Sequence, residues 1–254
     1  MATIYFVRHG RTVLNEQRRT QGAADSPLTP EGRRGAEVCR DYLADAAFTR
    51  AYLSPQGRVQ ETGGILLQAH PGAVPMNLTG LREYNYGIYD GGPDPEMHAA
   101  LPAAQHLPAV LAGTHPGAPG GIAARDYLAD IDGALARILT DLRDGARAGR
   151  HDENVLVVSH GMTLMTLIAR WVSMQIYGMA PMANCSVTTV EVTPTSGDGA
   201  PRLLAWAQDP AHQGVTFPAT DLSAALEGVD PVPIDWEHPE DPVPMTDAAA
   251  GDRA

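Results

Sequence analysis

Short apolar runs alternate along the chain with longer segments in which apolar residues recur at helical spacing. Thr29-Pro30 and Ser54-Pro55 each place a capping hydroxyl before a proline, a combination typical of a helix start. The pattern predicts strands at 3–7, 51–53, 155–158, 186–192 and 203–206, and helices at 29–47, 54–68 and 161–174. Strands that alternate with helices indicate an α/β fold with a mostly parallel central sheet flanked by helices.

Two segments depart from this alternation. Residues 92–121 are rich in Gly, Pro and Ala, and we expect a lid-like insertion there that contains one short helix. From 217 onward the chain is rich in Pro and in acidic residues, which predicts an extended arm. The expected organisation is one main domain at 1–216, interrupted by the insertion at 92–121, and an acidic, Pro-rich C-terminal arm at 217–254.

Composition and charge narrow the classes of function. The 254 residues are 44% hydrophobic, enough for a substantial core, and carry a net charge of -12. An acidic chain lacks the electrostatic attraction that nucleic acids and anionic membranes require, so we expect neither as a partner. All 18 basic residues are arginines. Fixed positive charge in a binding site must therefore come from guanidinium groups, which suit oxyanions.

The cysteine content and the N-terminus bear on the compartment. Cys39 and Cys185 are too few for a disulfide framework. The chain runs from Met1 into its first predicted strand without a secretion signal, and no apolar run approaches the length of a membrane helix. These features lead us to expect a cytoplasmic protein with no membrane partner.

Polar and reactive residues follow three of the predicted strands at the point where each strand ends. Arg8-His9-Gly10, Ser54-Pro55 and Ser159-His160-Gly161 directly follow apolar runs. In open α/β sheets, ligands bind outside the carboxyl ends of the strands. We therefore expect two histidines and an arginine to share one crevice, whereas a single His-Gly pair would indicate no more than a turn.

Four sequence blocks, in order, carry a resemblance to a known family. They are Arg8-His9-Gly10 with Thr12, Asn15 and Gln21-Gly22; Ser54-Pro55 with Arg58; Leu81-Arg82-Glu83 with Tyr86; and Ser159-His160-Gly161. Together they resemble the histidine phosphatase superfamily, in the branch that includes cofactor-dependent phosphoglycerate mutase. The resemblance implies a three-layer sandwich of the phosphoglycerate mutase type, with the main domain as its catalytic domain.

The resemblance also implies catalytic roles. His9 would be the nucleophile that forms a phosphohistidine, and Arg8, Arg58 and His160 would donate hydrogen bonds to the transferred phosphoryl group. Glu83 would protonate the leaving oxygen and then activate water. We expect no metal and no cofactor. Six further residues are expected to contact the substrate, a small phosphate ester: Asn15, Thr12, Gln21, Gly22, Tyr86 and Gly161.

Departures from the family pattern bear on the substrate. The mutases carry basic residues after the general acid and an asparagine after the second His-Gly pair, whereas this chain has neither arginine nor lysine between Arg82 and Arg125 and has Met162. We therefore favour a phosphatase for a phosphomonoester whose remaining part is neutral or apolar. The alternatives are a 2,3-bisphosphoglycerate-dependent phosphoglycerate mutase and a non-catalytic domain that binds a phosphorylated ligand. Assembly into a homo-oligomer stays open.

Several side chains near the blocks have two interpretations. Asn15 and Gln21 either touch the substrate or only fix their loop. The cluster of Tyr84, Tyr86 and Tyr89 either lines the leaving-group side or packs the loop against the sheet. For three histidines in the insertion we expect positions in a surface loop: His98, His106 and His115.

Overall fold

The computed structural model describes residues 1–195, 198–214 and 221–245. These residues form one six-stranded sheet, with strands β1 (Ala2–Arg8), β2 (Phe48–Leu53), β3 (Val74–Asn77), β4 (Glu153–Ser159), β5 (Val187–Val192) and β6 (Arg202–Gln208). The order across the sheet is β3-β2-β4-β1-β5-β6. β1 to β4 pair in parallel, whereas β5 runs antiparallel to both β1 and β6. The prediction of a mostly parallel central sheet is confirmed.

The helices alternate with the strands. The described residues form α1 (Val13–Glu16), α2 (Pro30–Tyr42), α3 (Gly57–Leu66), α4 (Asp94–Ala100), α5 (Ala103–Leu111), α6 (Ala124–Arg147) and α7 (Gly161–Trp171). Short 3₁₀ segments lie at Leu67–Ala69, Thr79–Leu81, Gly87–Tyr89, Met174–Gly178 and Ser223–Leu226. None of the helices in the described ranges has the length and apolar character needed to cross a membrane.

The two faces of the sheet are covered by separate hydrophobic clusters. Successive side chains of a strand point to opposite faces. Val158 therefore packs in the cluster that holds residues of α2 and α3, and Val157 packs in the cluster that holds residues of α6 and α7. Helices on both faces make the molecule a three-layer sandwich, as the resemblance implied.

The helix predicted at 29–47 ends earlier than expected. Thr29 caps α2 as predicted, because its hydroxyl accepts a hydrogen bond from the Gly32 amide. At Leu43 the backbone leaves helical geometry, and the Leu43 amide closes the last turn. Leu43 and Phe48 are both buried, so the chain must turn between them for β2 to enter the sheet.

The helix predicted from Ser54 begins three residues later, at Gly57. Ser54 is still tied to the sheet, because its amide donates to the Val158 carbonyl oxygen over 3.1 Å. The helix predicted at 161–174 ends at Trp171. Three further elements, α1, β3 and α6, were not predicted. The 24 residues of α6 form one amphipathic helix whose buried side chains, such as Leu128, Ile131 and Leu135, recur at helical spacing.

The insertion at 92–121 contains two helices, so the prediction of one short helix is wrong. In α5, buried Leu107, Val110 and Leu111 follow helical spacing and pack in the cluster beside α6. The Pro- and Gly-rich flanks hide this spacing in the sequence. His106 also lies on α5 and is buried, which corrects its expected place in a surface loop.

The C-terminal arm lies along the body over its described part, 221–245. Leu226 is buried, the Val232 amide donates to the Leu111 carbonyl oxygen over 2.9 Å, and Val243 forms a bridge with Asn77 at the end of β3. Residues 217–220 and 246–254 of the predicted arm lie outside the described residues, as does the predicted boundary at 216–217.

Candidate active site

The two histidines of the His-Gly pairs meet at the carboxyl ends of the central strands. β1 and β4 are parallel neighbours in which Arg8 lies opposite Ser159. The His9 amide donates to the Ser159 carbonyl oxygen over 2.9 Å. The ring centroids of His9 and His160 are 5.2 Å apart, and both residues are buried. The expected convergence of the strand ends is therefore present.

The hydrogen bonding of His9 fixes its tautomer. Nδ1 lies 2.8 Å from the Gly10 carbonyl oxygen, and because a carbonyl oxygen only accepts, Nδ1 must carry the proton. In the neutral ring, Nε2 then holds the lone pair. Burial, followed by the positive charges of Arg58 and Arg8, lowers the pKa of His9 well below its ordinary value. His9 is therefore a neutral imidazole with a basic Nε2 near pH 7.

Arg58, in the first turn of α3, is fully buried. Its Nη1 donates to the Ala24 carbonyl oxygen (2.9 Å) and to Asp25 Oδ1 (3.0 Å). Nη2 donates to the Gly22 carbonyl oxygen over 2.9 Å, and Nε donates to His160 Nδ1 over 3.1 Å. These bonds use four of the five N–H groups of a guanidinium. Arg58 is thus held against His160, and these bonds leave one of its N–H groups unused.

His160 is engaged at both ring nitrogens. Because Arg58 can only donate, Nδ1 of His160 accepts, and Nε2 therefore carries the proton of the neutral ring. Nε2 lies 2.8 Å from the hydroxyl oxygen of Ser54. Burial and the charge of Arg58 lower the pKa of His160 well below its ordinary value. In this arrangement its ring hydrogen bonds run to other protein groups, and its predicted hydrogen bond to a phosphoryl group stays a prediction.

Arg8 leaves a donor unsatisfied at the end of β1. Its Nη1 donates to the Met182 carbonyl oxygen over 2.6 Å. Its Nε is buried and has no hydrogen-bond partner within the described residues. A Cβ on Gly161 would lie 3.4 Å from this Nε. A buried donor without a partner is costly, and an anionic ligand would satisfy it.

Glu83 faces the same region from the loop that follows β3. Its Oε2 accepts from the Met162 amide over 3.0 Å, and Oε1 accepts from the amides of Thr163 (3.1 Å) and Tyr84 (3.0 Å). The carboxylate therefore rests on the first amides of α7, where a helix terminus favours a negative group.

A polar cavity of about 170 Å³ opens in front of His9. We call it the polar cavity. Five other predicted site residues line it: Arg8, Asn15, Gln21, Glu83 and Tyr86. The other predicted residues do not line it. Arg58 and His160 contact each other and are not among its lining residues, and Gly161, close to Arg8, lines another cavity.

The chain matches proteins of a known family. A family model described as the histidine phosphatase superfamily (branch 1) matches residues 4–208. The chain belongs to the histidine phosphatase superfamily. A curated relative, the probable phosphoglycerate mutase GpmB of Yersinia pestis (strain Pestoides F), is 28% identical over 225 residues, which are 87% of this chain and 98% of the relative.

Two solved structures share the fold of this histidine phosphatase chain. The phosphoglycerate mutase from Bacillus anthracis str. Sterne superposes with a TM-score of 0.69 at 28% identity, over 83% of this chain and 94% of the other. A mycobacterial glucosyl-3-phosphoglycerate phosphatase superposes with a TM-score of 0.66 at 24% identity, over 81% of this chain and 98% of the other. The second likeness shows the fold alone.

The loop after β1 of the histidine phosphatase domain fits both interpretations of Asn15 and Gln21. The Thr12 hydroxyl accepts from the Asn15 amide over 3.2 Å, and Asn15 Oδ1 accepts from the Thr12 amide over 3.2 Å. The Thr12 hydroxyl also donates to Gln21 Oε1 over 2.6 Å. Thr12 is fully buried, so it braces the loop. Gly22 does not line the polar cavity. A Cβ at this position would meet the Tyr84 carbonyl oxygen at 2.0 Å.

The tyrosine cluster divides between its two interpretations. Tyr84 is fully buried and meets Tyr86 and Tyr127 edge to face at centroid distances of 5.1 and 4.9 Å. Tyr86 packs against the same core and also lines the polar cavity. Tyr84 therefore packs the loop, whereas Tyr86 has one side toward the cavity.

Several residues that line the polar cavity were not predicted. They are Arg11, Arg19, Thr20, Asp94, Met97, His98, Asn184 and Gly214. Arg11 and Arg19 lie close to the first block, and their charge was a signal that could have found them. Asn184 precedes β5 outside any block, and its Nδ2 donates to the His9 carbonyl oxygen over 2.9 Å. Its place follows only from the folded chain.

Proposed function

We propose that this histidine phosphatase chain is a metal-independent phosphomonoester phosphatase that acts through a phosphohistidine at His9. The observation that carries the proposal is the state of His9. Its Nδ1 proton is tied to the Gly10 carbonyl oxygen, its lowered pKa keeps Nε2 unprotonated, and Arg8, whose Nε is unsatisfied, lines the same cavity. A neutral nucleophile next to a guanidinium donor suits attack on a phosphate ester.

In the first step, Nε2 of His9 attacks phosphorus, the N–P bond forms, and the P–O bond to the leaving alcohol breaks. The proton for the leaving oxygen comes from Glu83, which must first take up that proton, because both of its oxygens accept hydrogen bonds as a carboxylate. Arg8 donates to the equatorial oxygens, where negative charge is spread in the transition state. Asn15 and Gln21 line the same cavity, which supports their proposed contact with the transferred group.

In the second step, Glu83, now a carboxylate, takes a proton from water, whose oxygen attacks phosphorus. The N–P bond breaks, inorganic phosphate forms, and the electron pair returns to Nε2 of His9. Arg58 and His160 act on this cycle indirectly, because neither lines the polar cavity. The charge of Arg58 adds to the effect of burial in keeping both imidazoles neutral, and His160 joins Arg58 to Ser54.

The test is hydrolysis of phenyl phosphate in EDTA by the unmodified protein and by His9→Ala. We expect His9→Ala to abolish turnover, and an acid-labile phosphoenzyme to be trapped on the unmodified protein alone. Exposed His151 supplies a control, since His151→Ala should keep both signals. Phosphoenzyme on His9→Ala would refute the proposal. Absence of turnover and phosphoenzyme from the unmodified protein would instead favour a phospho-ligand-binding domain.

A phosphoglycerate mutase that uses 2,3-bisphosphoglycerate is the second candidate, and a specific observation favours it. Arg11 and Arg19 line the polar cavity, so cations are available there for a second anionic group even though the segment after Glu83 has none. The name of the Yersinia relative points the same way. Isomerisation of 3-phosphoglycerate that depends on added 2,3-bisphosphoglycerate would establish the mutase and displace the phosphatase.

A further inference from the structure

A second cavity of about 350 Å³ adjoins the polar cavity. Both are lined by Arg8, Glu83, Tyr86, Met97 and His98, so a molecule whose phosphoryl group lies at His9 can extend into the second cavity past Glu83. A volume of this size falls in the range of small-molecule sites. We call it the methionine cavity.

The wall of the methionine cavity is mainly thioether and aliphatic. Five methionines line it: Met97, Met162, Met165, Met179 and Met182. Methionine is flexible and polarisable, so such a wall adapts to apolar groups of different shape. Leu222 from the C-terminal arm completes the lining, and its amide donates to the Tyr177 carbonyl oxygen over 3.3 Å. The arm is therefore part of the cavity.

Within the methionine cavity, charge is confined to the side that adjoins the polar cavity. Among the lining residues, the arginine and carboxylate side chains are those of Arg8 and Glu83, which both cavities share. His106, in the wall, is neutral near pH 7, because burial lowers its pKa to about 4. Away from that side, the described residues that line the methionine cavity include no arginine with which to hold a carboxylate or a second phosphate.

We propose that the methionine cavity is the leaving-group subsite of this enzyme, and that its substrates are phosphomonoesters of extended apolar alcohols. This inference rests on the proposed function, because a leaving group lies there only if the phosphoryl group lies at His9. Met165 and Met179 are the specificity-determining residues on the α7 side and the following loop, and Leu222 is the one on the arm. Each contacts the apolar part of the substrate and none takes part in bond breaking.

Binding of methyl-, butyl- and octylphosphonate tests the subsite by calorimetry without requiring turnover. A fully buried methylene contributes about fourfold in affinity. Even with partial burial, octylphosphonate should bind at least about tenfold more tightly than butylphosphonate, with a negative heat-capacity change. Hydrolysis of the matching alkyl phosphates should show the same trend in kcat/KM.

Two exposed methionines supply matched variants. Met179, 42% exposed, lines the cavity, whereas Met245, 41% exposed, lies elsewhere on the arm. We expect Met179→Gln and Met165→Gln each to lower the octyl-to-butyl affinity ratio about threefold or more. Met245→Gln should leave the ratio unchanged, which separates loss of cavity contacts from a general effect of losing a methionine.

The outcomes separate this inference from the proposed function. Equal affinity for all three phosphonates, or no binding of any of them, overturns the apolar subsite, even if phenyl phosphate is hydrolysed through His9. A chain-length trend that Met165→Gln and Met179→Gln leave intact also overturns it. A trend that these variants reduce supports the subsite, and if no ester is hydrolysed, it is the phosphatase proposal that fails.

Discussion

Two arginines of this chain have almost no exposed surface, and they serve different ends of the molecule. The Arg58 side chain, which contacts His160, is 0% exposed, and the side chain of its carboxylate partner Asp25 is 35% exposed. Arg170, on α7, is 2% exposed and its partner Asp132 is 4% exposed. Each buried guanidinium pairs with a carboxylate, yet one adjoins the candidate nucleophile and the other anchors the C-terminal arm.

The pairs differ in how their hydrogen bonds are distributed. Arg170 binds Asp132 through both terminal nitrogens and also donates to the carbonyl oxygens of Val232 and Pro233 on the arm. Arg58 divides its donors among two carbonyl oxygens, one carboxylate oxygen and an imidazole. The first arrangement fastens one segment to another, and the second sets the charge around His9. We therefore expect the Arg170–Asp132 pair to act on stability and the Arg58–Asp25 pair to act on the chemistry.

The largest expected effect is on stability, at Arg170. Arg170→Met leaves Asp132 buried without its partner, and breaking a buried pair in this way costs about 3–5 kcal/mol. We expect the free energy of unfolding to fall by that amount in urea titrations. Turnover of phenyl phosphate per folded molecule should stay within about twofold, because Arg170 does not line the polar cavity.

The double variant Arg170→Met/Asp132→Leu is the control for this result. Replacing both partners with apolar groups removes the stranded charge, so most of the lost stability should return. If the double variant is as unstable as Arg170→Met alone, the loss comes from the contacts to the arm and not from an unpaired Asp132. The Arg170–Asp132 ion pair would then not be the source of the stability that contrasts it with Arg58.

Arg58→Lys should produce the next largest effect, on activity. One ammonium group cannot reproduce the planar set of bonds to Gly22, Ala24, Asp25 and His160. Loss of a preorganised electrostatic contact typically lowers kcat about 10²- to 10³-fold, and we expect that range for phenyl phosphate. Stability should fall less than in Arg170→Met, because Asp25, whose side chain is 35% exposed, can be hydrated. An activity within threefold of the unmodified protein would show that Arg58 is structural.

The same contrast shows what the sequence could and could not predict. Arg58 is predictable because it shares a block with Ser54-Pro55, and the alternation of strands and helices predicts the α/β sheet between helix layers. The Arg170–Asp132 pair joins residues 38 positions apart on two helices, and no local pattern marks it. Pairs of this kind depend on how α6 and α7 pack, which follows from the whole core.

The site itself divides along similar lines. Residues that follow strand ends or share a block with His9 were predictable, because a local motif fixes them. Asn184 and the methionine cavity depend on loops and on the arm, which the fold brings together from distant parts of the chain. The number of helices in the insertion was not predictable for a different reason. Its Pro- and Gly-rich flanks conceal the helical spacing of Leu107 and Leu111.

The smallest expected effect is a loss of stability in acid. An unfolded histidine takes up a proton near pH 6.5, whereas burial and the charge of Arg58 lower the pKa of folded His9 and His160 well below that. The unfolded state binds more protons below pH 6.5, so the free energy of unfolding is fully retained above that pH and falls below it. Each buried imidazole should cost about 1 kcal/mol between pH 7.5 and 5.5.

Urea titrations at the two pH values measure this loss. His160→Asn should lose about 1 kcal/mol less than the unmodified protein on acidification, and His151→Asn, at an exposed position, should match the unmodified protein. The stability deficit of Arg170→Met relative to the unmodified protein should change in the opposite direction as the pH falls. Burial raises the pKa of Asp132, and without Arg170 the folded chain binds a proton there more readily, so its deficit should shrink as the pH falls. Parallel acid losses in His160→Asn and the unmodified protein would mean that the imidazoles beside Arg58 are not the acid-sensitive groups.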